Sequence, residues 1–323
     1  MAKKKNLLEN RDYYKPLEYP EAFEFYELSE KMHWIVNEIP MHQDIIDWNT
    51  KLTQPEKDFL THIFRFFTQG DIDVGSAYAE KYLPLFKKPE VRMMLSSFCA
   101  REAVHIHAYS HLIDTLGMPE TTYKQFHEYE VMQEKHNYFE SFMNKPKENI
   151  VQQMVAVSAF TEGMQLFSSF IMLLNFTRFN KMNGMGQAIS WSIRDEQTHF
   201  DGLAWLFRTY IKENRELWVD ELKSELYTIA ENMVLLEDKF IDLAFGLNAI
   251  EGLTKEEVKQ YIRYIADRRL IGLSLKGIFK VKKNPLPWVE EILNAPEHGN
   301  FFEVRASAYA KGAVTGSWSS VWK

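Results

Sequence analysis

The strongest constraint on the fold is a short pattern that occurs twice. Arg101-Glu102-Ala103-Val104-His105 and Arg194-Asp195-Glu196-Gln197-Thr198-His199 each contain Glu-x-x-His. Residues three apart share one face of an α-helix, so each stretch projects a carboxylate and an imidazole from the same side. One copy alone describes an ordinary solvated helix face, but the apolar context argues against that here. Leu95, Phe98, Glu102, His105, Tyr109 and Leu112 recur at steps of 3, 4, 3, 4 and 3. Ile189, Ser192, Glu196, His199, Leu203, Leu206 and Tyr210 recur at 3, 4, 3, 4, 3 and 4. Both are core stripes of amphipathic helices, with Glu and His inside the apolar line. A carboxylate in such a line must be paired, protonated or bound to metal.

Two further stripes supply more negative charge. Leu60, Phe64, Phe67, Asp71, Val74 and Tyr78 form one, and Val155, Ala159, Glu162, Leu166, Phe170 and Leu173 the other. Four helices thus each offer a carboxylate, and two add a histidine. This is the ligand pattern of a carboxylate-bridged di-metal bundle, with Asp71 where a Glu is usual. The candidate ligands are Asp71, Glu102, His105, Glu162, Glu196 and His199. Carboxylate-rich ligation with two imidazoles suits iron or manganese better than zinc or copper. A zinc-protease site is excluded, because His-Glu-x-x-His is absent. Redox metals ~3.5–4 Å apart can turn O2 into a strong oxidant. Its target could be iron itself, as in storage, an organic substrate, as in hydroxylases and desaturases, or a protein side chain. Tyr109 shares the face of His105 four residues on. Its spacing fits a core tyrosine, and burial among apolar residues would also let it carry a radical.

The remaining composition narrows the class. Of 323 residues, 46% are hydrophobic and 26% charged, which describes a soluble globular protein. The net charge of −7 disfavours a nucleic-acid partner, and the basic runs Lys3–Lys5 and Lys280–Lys283 read as solvated segments. A single cysteine, Cys99, allows no internal disulfide and suits a reducing cytoplasm. No run approaches ~20 apolar residues, so no membrane span is expected.

Along the chain, residues 1–20 read as a polar surface segment, 21–296 as one helical di-metal domain and 297–323 as a flexible tail. Helices are expected at about 21–36, 53–82, 90–116, 119–143, 148–176, 187–211, 214–247 and 254–272. Residues 37–52 read as irregular, broken by Pro40. Thr53-x-x-Glu56 and Thr254-x-x-Glu257 are capping boxes.

Asp71, Glu102-x-x-His105-x-x-x-Tyr109, Glu162 and Arg194-Asp195-Glu196-x-x-His199 together resemble the small, radical-generating subunit of class I ribonucleotide reductase. Phe66-Phe67 and the tail Phe301-Phe302-Glu303 to Tyr309-x-x-Gly312 belong to the same resemblance, which runs from about Trp34 to the C-terminus. It implies an all-α, ferritin-like helical bundle, with extra helices around a four-helix di-metal core. Two metal ions are implied, iron as the expected pair and manganese as the alternative. Tyr109 would be oxidised, with O2, to a stable tyrosyl radical. That radical would pass through Trp34 and Tyr309 to a separate large catalytic subunit that reduces ribonucleotides. Asp195, behind His105, would link the metal site to Trp34. A homodimer is implied, and the tail, with Trp318 and Trp322, is expected to dock on the large subunit. Iron storage would need neither Tyr109 nor the tail, and an oxidase or desaturase would typically lack a tyrosine at that position.

Overall fold

The computed structural model describes residues 6–247 and 249–294. The tail residues Phe301, Phe302, Tyr309, Gly312, Trp318 and Trp322 lie outside the described residues. In chain order the helices are α1 (Pro20–Lys31), α2 (His42–Thr50), α3 (Gln54–Ala77), α4 (Leu83–Leu85), α5 (Pro89–Thr115), α6 (Thr121–Lys124) and α7 (Glu130–Met143). They continue with α8 (Ile150–Met154), α9 (Leu166–Leu174), α10 (Asn183–Glu213), α11 (Asp220–Leu247), α12 (Lys255–Gly272) and α13 (Pro287–Leu293). Two π-helical stretches interrupt this run, Tyr78–Tyr82 after α3 and Val155–Gln165 between α8 and α9. Among the described residues there is no strand, only an isolated bridge between Ile250 and Leu253.

Both capping boxes start helices. The Glu56 N–H donates to Thr53 Oγ1, and the Thr53 N–H donates to Glu56 Oε2 at 2.8 Å, opening α3. Thr254 and Glu257 open α12 in the same way. Each pair satisfies two backbone donors that a helix start leaves without partners.

The stretch expected to be irregular, 37–52, instead contains α2. Pro40 precedes the helix rather than breaking it. Asp44 and Asp47 on α2 are buried because they cap another helix. Asp44 accepts the backbone N–H groups of Gly184 and Met185, and Asp47 that of Met182, at the start of α10. Gly184 is required at this junction, since a Cβ would lie 2.8 Å from the Pro40 carbonyl oxygen. The helix expected over 119–143 is also broken. Tyr129, in extended backbone before α7, is tethered to α3 by Arg65 and His62. The N-terminal segment is more than a surface strap. Leu7 and Tyr19 are buried, and Arg11 bonds the buried Glu90 on α5.

The helical run Lys147–Phe179 is long and apolar enough to cross a membrane, contrary to the expectation that no segment is. Its most apolar window is 100% buried inside the bundle. Core position accounts for its composition: α10, α11 and α12 all pack against the π-helical stretch within it. The π-helix frees backbone carbonyls from the regular ladder. One of them, from Gly163, accepts the Nε–H of the buried Arg269 at 2.6 Å.

Candidate metal centre

Helices α3, α5 and α10 and the Val155–Gln165 stretch turn their polar-in-apolar positions toward one point. Asp71, Glu102, His105, Glu162, Glu196 and His199 are all buried there. Two groups form, each with ligand atoms within 4.8 Å of one another: Asp71, Glu102, His105 and Glu196, and Glu102, Glu162, Glu196 and His199. Glu102 and Glu196 belong to both, so they stand between two adjacent positions for a cation. His105 Nδ1 lies 3.1 Å from Glu196 Oε1 and 3.6 Å from Glu102 Oε2. His199 Nδ1 lies 2.9 Å from Glu102 Oε1, 3.3 Å from Glu162 Oε2 and 3.4 Å from Glu196 Oε2.

The donor set fits a pair of divalent cations. Both carboxylate oxygens of Asp71, Glu102 and Glu196, Glu162 Oε1, and Nδ1 of both histidines are buried without a well-formed hydrogen bond. Leaving so many charged groups unsatisfied costs several kcal/mol each unless cations or protons compensate them. Four carboxylates also balance the charge of two divalent ions. The side chains by themselves recruit protons. Burial, reinforced by the neighbouring Glu102 charge, drives Asp71 well above the usual carboxylate range. Burial pushes Glu162 up to about 8. Burial opposes the charge on Glu196, but the flanking imidazoles override it and hold that carboxyl at about 2. Burial also opposes charging His105 and His199, yet their contacts with carboxylates raise both well above the usual imidazole value.

Asp195 and Trp34 extend this cluster outward. His105 Nε2 lies 3.2 Å from Asp195 Oδ2, and the Trp34 indole N–H donates to the same oxygen at 2.8 Å. The Trp34 and His105 rings are stacked with centroids 6.0 Å apart. Asp195 is therefore buried behind a ligand-bearing helix face, not at the surface that its sequence position alone would give it. With Nδ1 turned to the cluster, a carboxylate on Nε2 fixes tautomer and ring orientation. Tyr109 is 4% exposed, its ring centroid 6.3 Å from that of His105. Burial and the Asp71 charge raise its phenol well above the ordinary value, against a hydroxyl contact from Ser192.

A family model described as "Ribonucleotide reductase, small chain" matches residues 11–285. The chain belongs to that family. One relative of this small chain is named "Probable ribonucleoside-diphosphate reductase small subunit 376L", from Invertebrate iridescent virus 6. It is 45% identical over 355 residues, covering 98% of this chain and 99% of the relative. The solved ribonucleotide reductase R2 subunit from Clostridium botulinum superposes with a TM-score of 0.82 at 24% identity, covering 88% of this small chain and 91% of its own. The dimanganese(II) NrdF of Streptococcus sanguinis does so with a TM-score of 0.76 at 21% identity, covering 87% and 100%. These two likenesses show the same all-helical fold.

Sequence reasoning missed the contacts of three residues around the small chain's centre. Arg101 and Arg194 clamp the segment carrying Trp34: Arg101 bonds His33 and the Trp34 carbonyl, and Arg194 the Met32 carbonyl. Arg194 stood in the quoted motif, but nothing in its spacing revealed its target. Tyr78, assigned to an apolar stripe, donates its hydroxyl to Glu162 Oε2 at 2.8 Å. Its place seven residues after Asp71, two helical turns along the same face, was the available signal.

Proposed function

We propose that Asp71, Glu102, His105, Glu162, Glu196 and His199 would hold two metal ions, Glu102 and Glu196 being common to both positions. The observation that carries this reading is the pair of four-residue ligand groups sharing those two carboxylates. Iron is the expected metal, with manganese as the alternative. When bound, the pair supplies, together with O2, the one-electron oxidising power that side chains alone lack. Tyr109 is the residue oxidised, giving a tyrosyl radical that its buried position shields from water and reductants. His105 and Asp195 join the centre to Trp34 through one shared carboxylate oxygen. Trp34 and Tyr309 then relay the radical to a separate large subunit, where ribonucleotides are reduced to deoxyribonucleotides. Relatives are named as ribonucleoside-diphosphate reductase small subunits, and we carry the diphosphate level to this chain. The protein works as a homodimer in the cytoplasm, and its C-terminal tail docks on the large subunit.

The test is to load metal-free protein with Fe(II) under argon, admit O2, and record electron paramagnetic resonance. A tyrosyl signal that disappears in Tyr109→Phe supports the assignment. An unchanged signal in that variant moves the radical to another residue.

A further inference from the structure

The two halves of the centre are supported from outside in different ways. On the His105 side, Asp195 stands behind the imidazole and fixes its orientation. On the His199 side, no hydrogen-bond partner reaches Nε2 among the described residues. On its outer side that ring is held by packing, with Phe98 at 4.6 Å and Tyr78 edge-on at 6.1 Å between centroids. The external hydrogen bond on this side goes to the carboxylate instead. The fully buried Tyr78 hydroxyl donates to Glu162 Oε2. No other carboxylate of the six-residue cluster has a well-formed hydrogen bond from outside it.

Glu162 has particular need of such a hold. It lies in the π-helical stretch Val155–Gln165, where the wider turn relaxes the backbone register. Tyr78 begins the other π-helical stretch, directly after α3. The donor is fixed on Oε2, the oxygen that lies 3.3 Å from His199 Nδ1, and so sets how the carboxylate faces the position beside His199, while Oε1 has no hydrogen-bond partner.

We propose that Tyr78 is a positioning residue for Glu162, setting the carboxylate that completes the metal position beside His199. This inference rests on the di-metal reading above. Partners of this kind, one step removed from the metal, typically change affinity by about 10- to 100-fold when removed.

The experiment titrates full-length protein with Mn(II) and follows free Mn(II) by electron paramagnetic resonance, for wild type, Tyr78→Phe and Tyr82→Phe. Tyr82 is an equally buried tyrosine four residues on, and its hydroxyl bonds Ser158 rather than a ligand. It therefore reports the cost of losing a buried hydroxyl without touching the centre. Thermal melts of all three check folding. Wild type should bind two ions. Tyr78→Phe should weaken one of the two by about 10- to 100-fold, and Tyr82→Phe should bind both as wild type does. Wild-type affinity for both ions in Tyr78→Phe overturns the inference, as does an equal loss in Tyr82→Phe. If wild type itself binds no ion pair, the di-metal reading falls and takes this inference with it.

Discussion

Protons and metal ions compete for the same buried atoms, so loading the centre should release a countable number of protons. Four groups of the cluster have values raised by their surroundings: Asp71, Glu162, His105 and His199. With Glu162 at about 8, that carboxyl alone is roughly nine-tenths protonated at pH 7. Metal binding requires neutral imidazoles and ionised carboxylates. Loading two divalent ions near pH 7 should therefore displace more than one proton per chain, and the combined affinity should rise about tenfold per pH unit for each proton displaced. Above pH 8, where Glu162 no longer holds its proton, the slope should fall by about one proton. Metal-free protein should show the opposite trend. A folded value raised above the unfolded one gives stability that is complete below the unfolded value and lost as pH rises through the folded one. For Glu162 that loss runs from the ordinary carboxylate value of 4.5 up to about 8. Isothermal titration calorimetry with Mn(II), in buffers of different ionisation enthalpy, counts the protons directly. Release of one proton or fewer would show that protons do not compensate this cluster, and would refute the reasoning.

Four further outcomes are expected. Tyr109→Phe should bind two metal ions and melt like wild type while giving no tyrosyl signal; a normal radical yield would contradict the assignment. Asp195→Asn should retain the Tyr109 radical but lose most nucleotide reduction with the large subunit, since the shared acceptor of Trp34 and His105 is altered; full turnover would remove Asp195 from the relay. Deleting 317–323 should abolish large-subunit binding and spare the radical, whereas Tyr309→Phe should bind normally but not support turnover; pull-down and activity assays separate the two. Lys135→Met leaves the buried Glu237 without its ion-pair partner, which sits 2.6 Å away, and should cost about 3–5 kcal/mol in urea unfolding. A loss well under 1 kcal/mol would mean that Glu237 is readily neutralised.

The six cluster residues were legible because each breaks an apolar stripe at helical spacing, a signal that survives without coordinates. Trp34 and Asp195 carried no such signal. Only the resemblance pointed to them, because a hydrogen bond between residues 161 apart in the chain leaves no local trace. Helix α2 was missed for a related reason: its buried Asp44 and Asp47 satisfy the start of α10 and so look like solvated polar residues in sequence. The π-helical stretch left no mark in the sequence: the stripe through Glu162, at steps of 4, 3, 4, 4 and 3, fits the regular period of 3.6. Tyr78 was visible in its stripe, but a tyrosine at a core position announces neither its donor nor its acceptor.

The Trp34 indole is placed to act as its own gauge. Its N–H is tied to Asp195 on α10, while its backbone is held by Arg101 from α5 and its neighbour Met32 by Arg194. Three segments distant in sequence must therefore be assembled for that proton to be protected from solvent. Its exchange with deuterium measures how often the segment after α1 lifts away. Each lift would detach Trp34 while leaving the six buried cluster residues in place, so a single indole resonance distinguishes a protein whose Trp34 stays joined to the cluster from one that only retains the cluster.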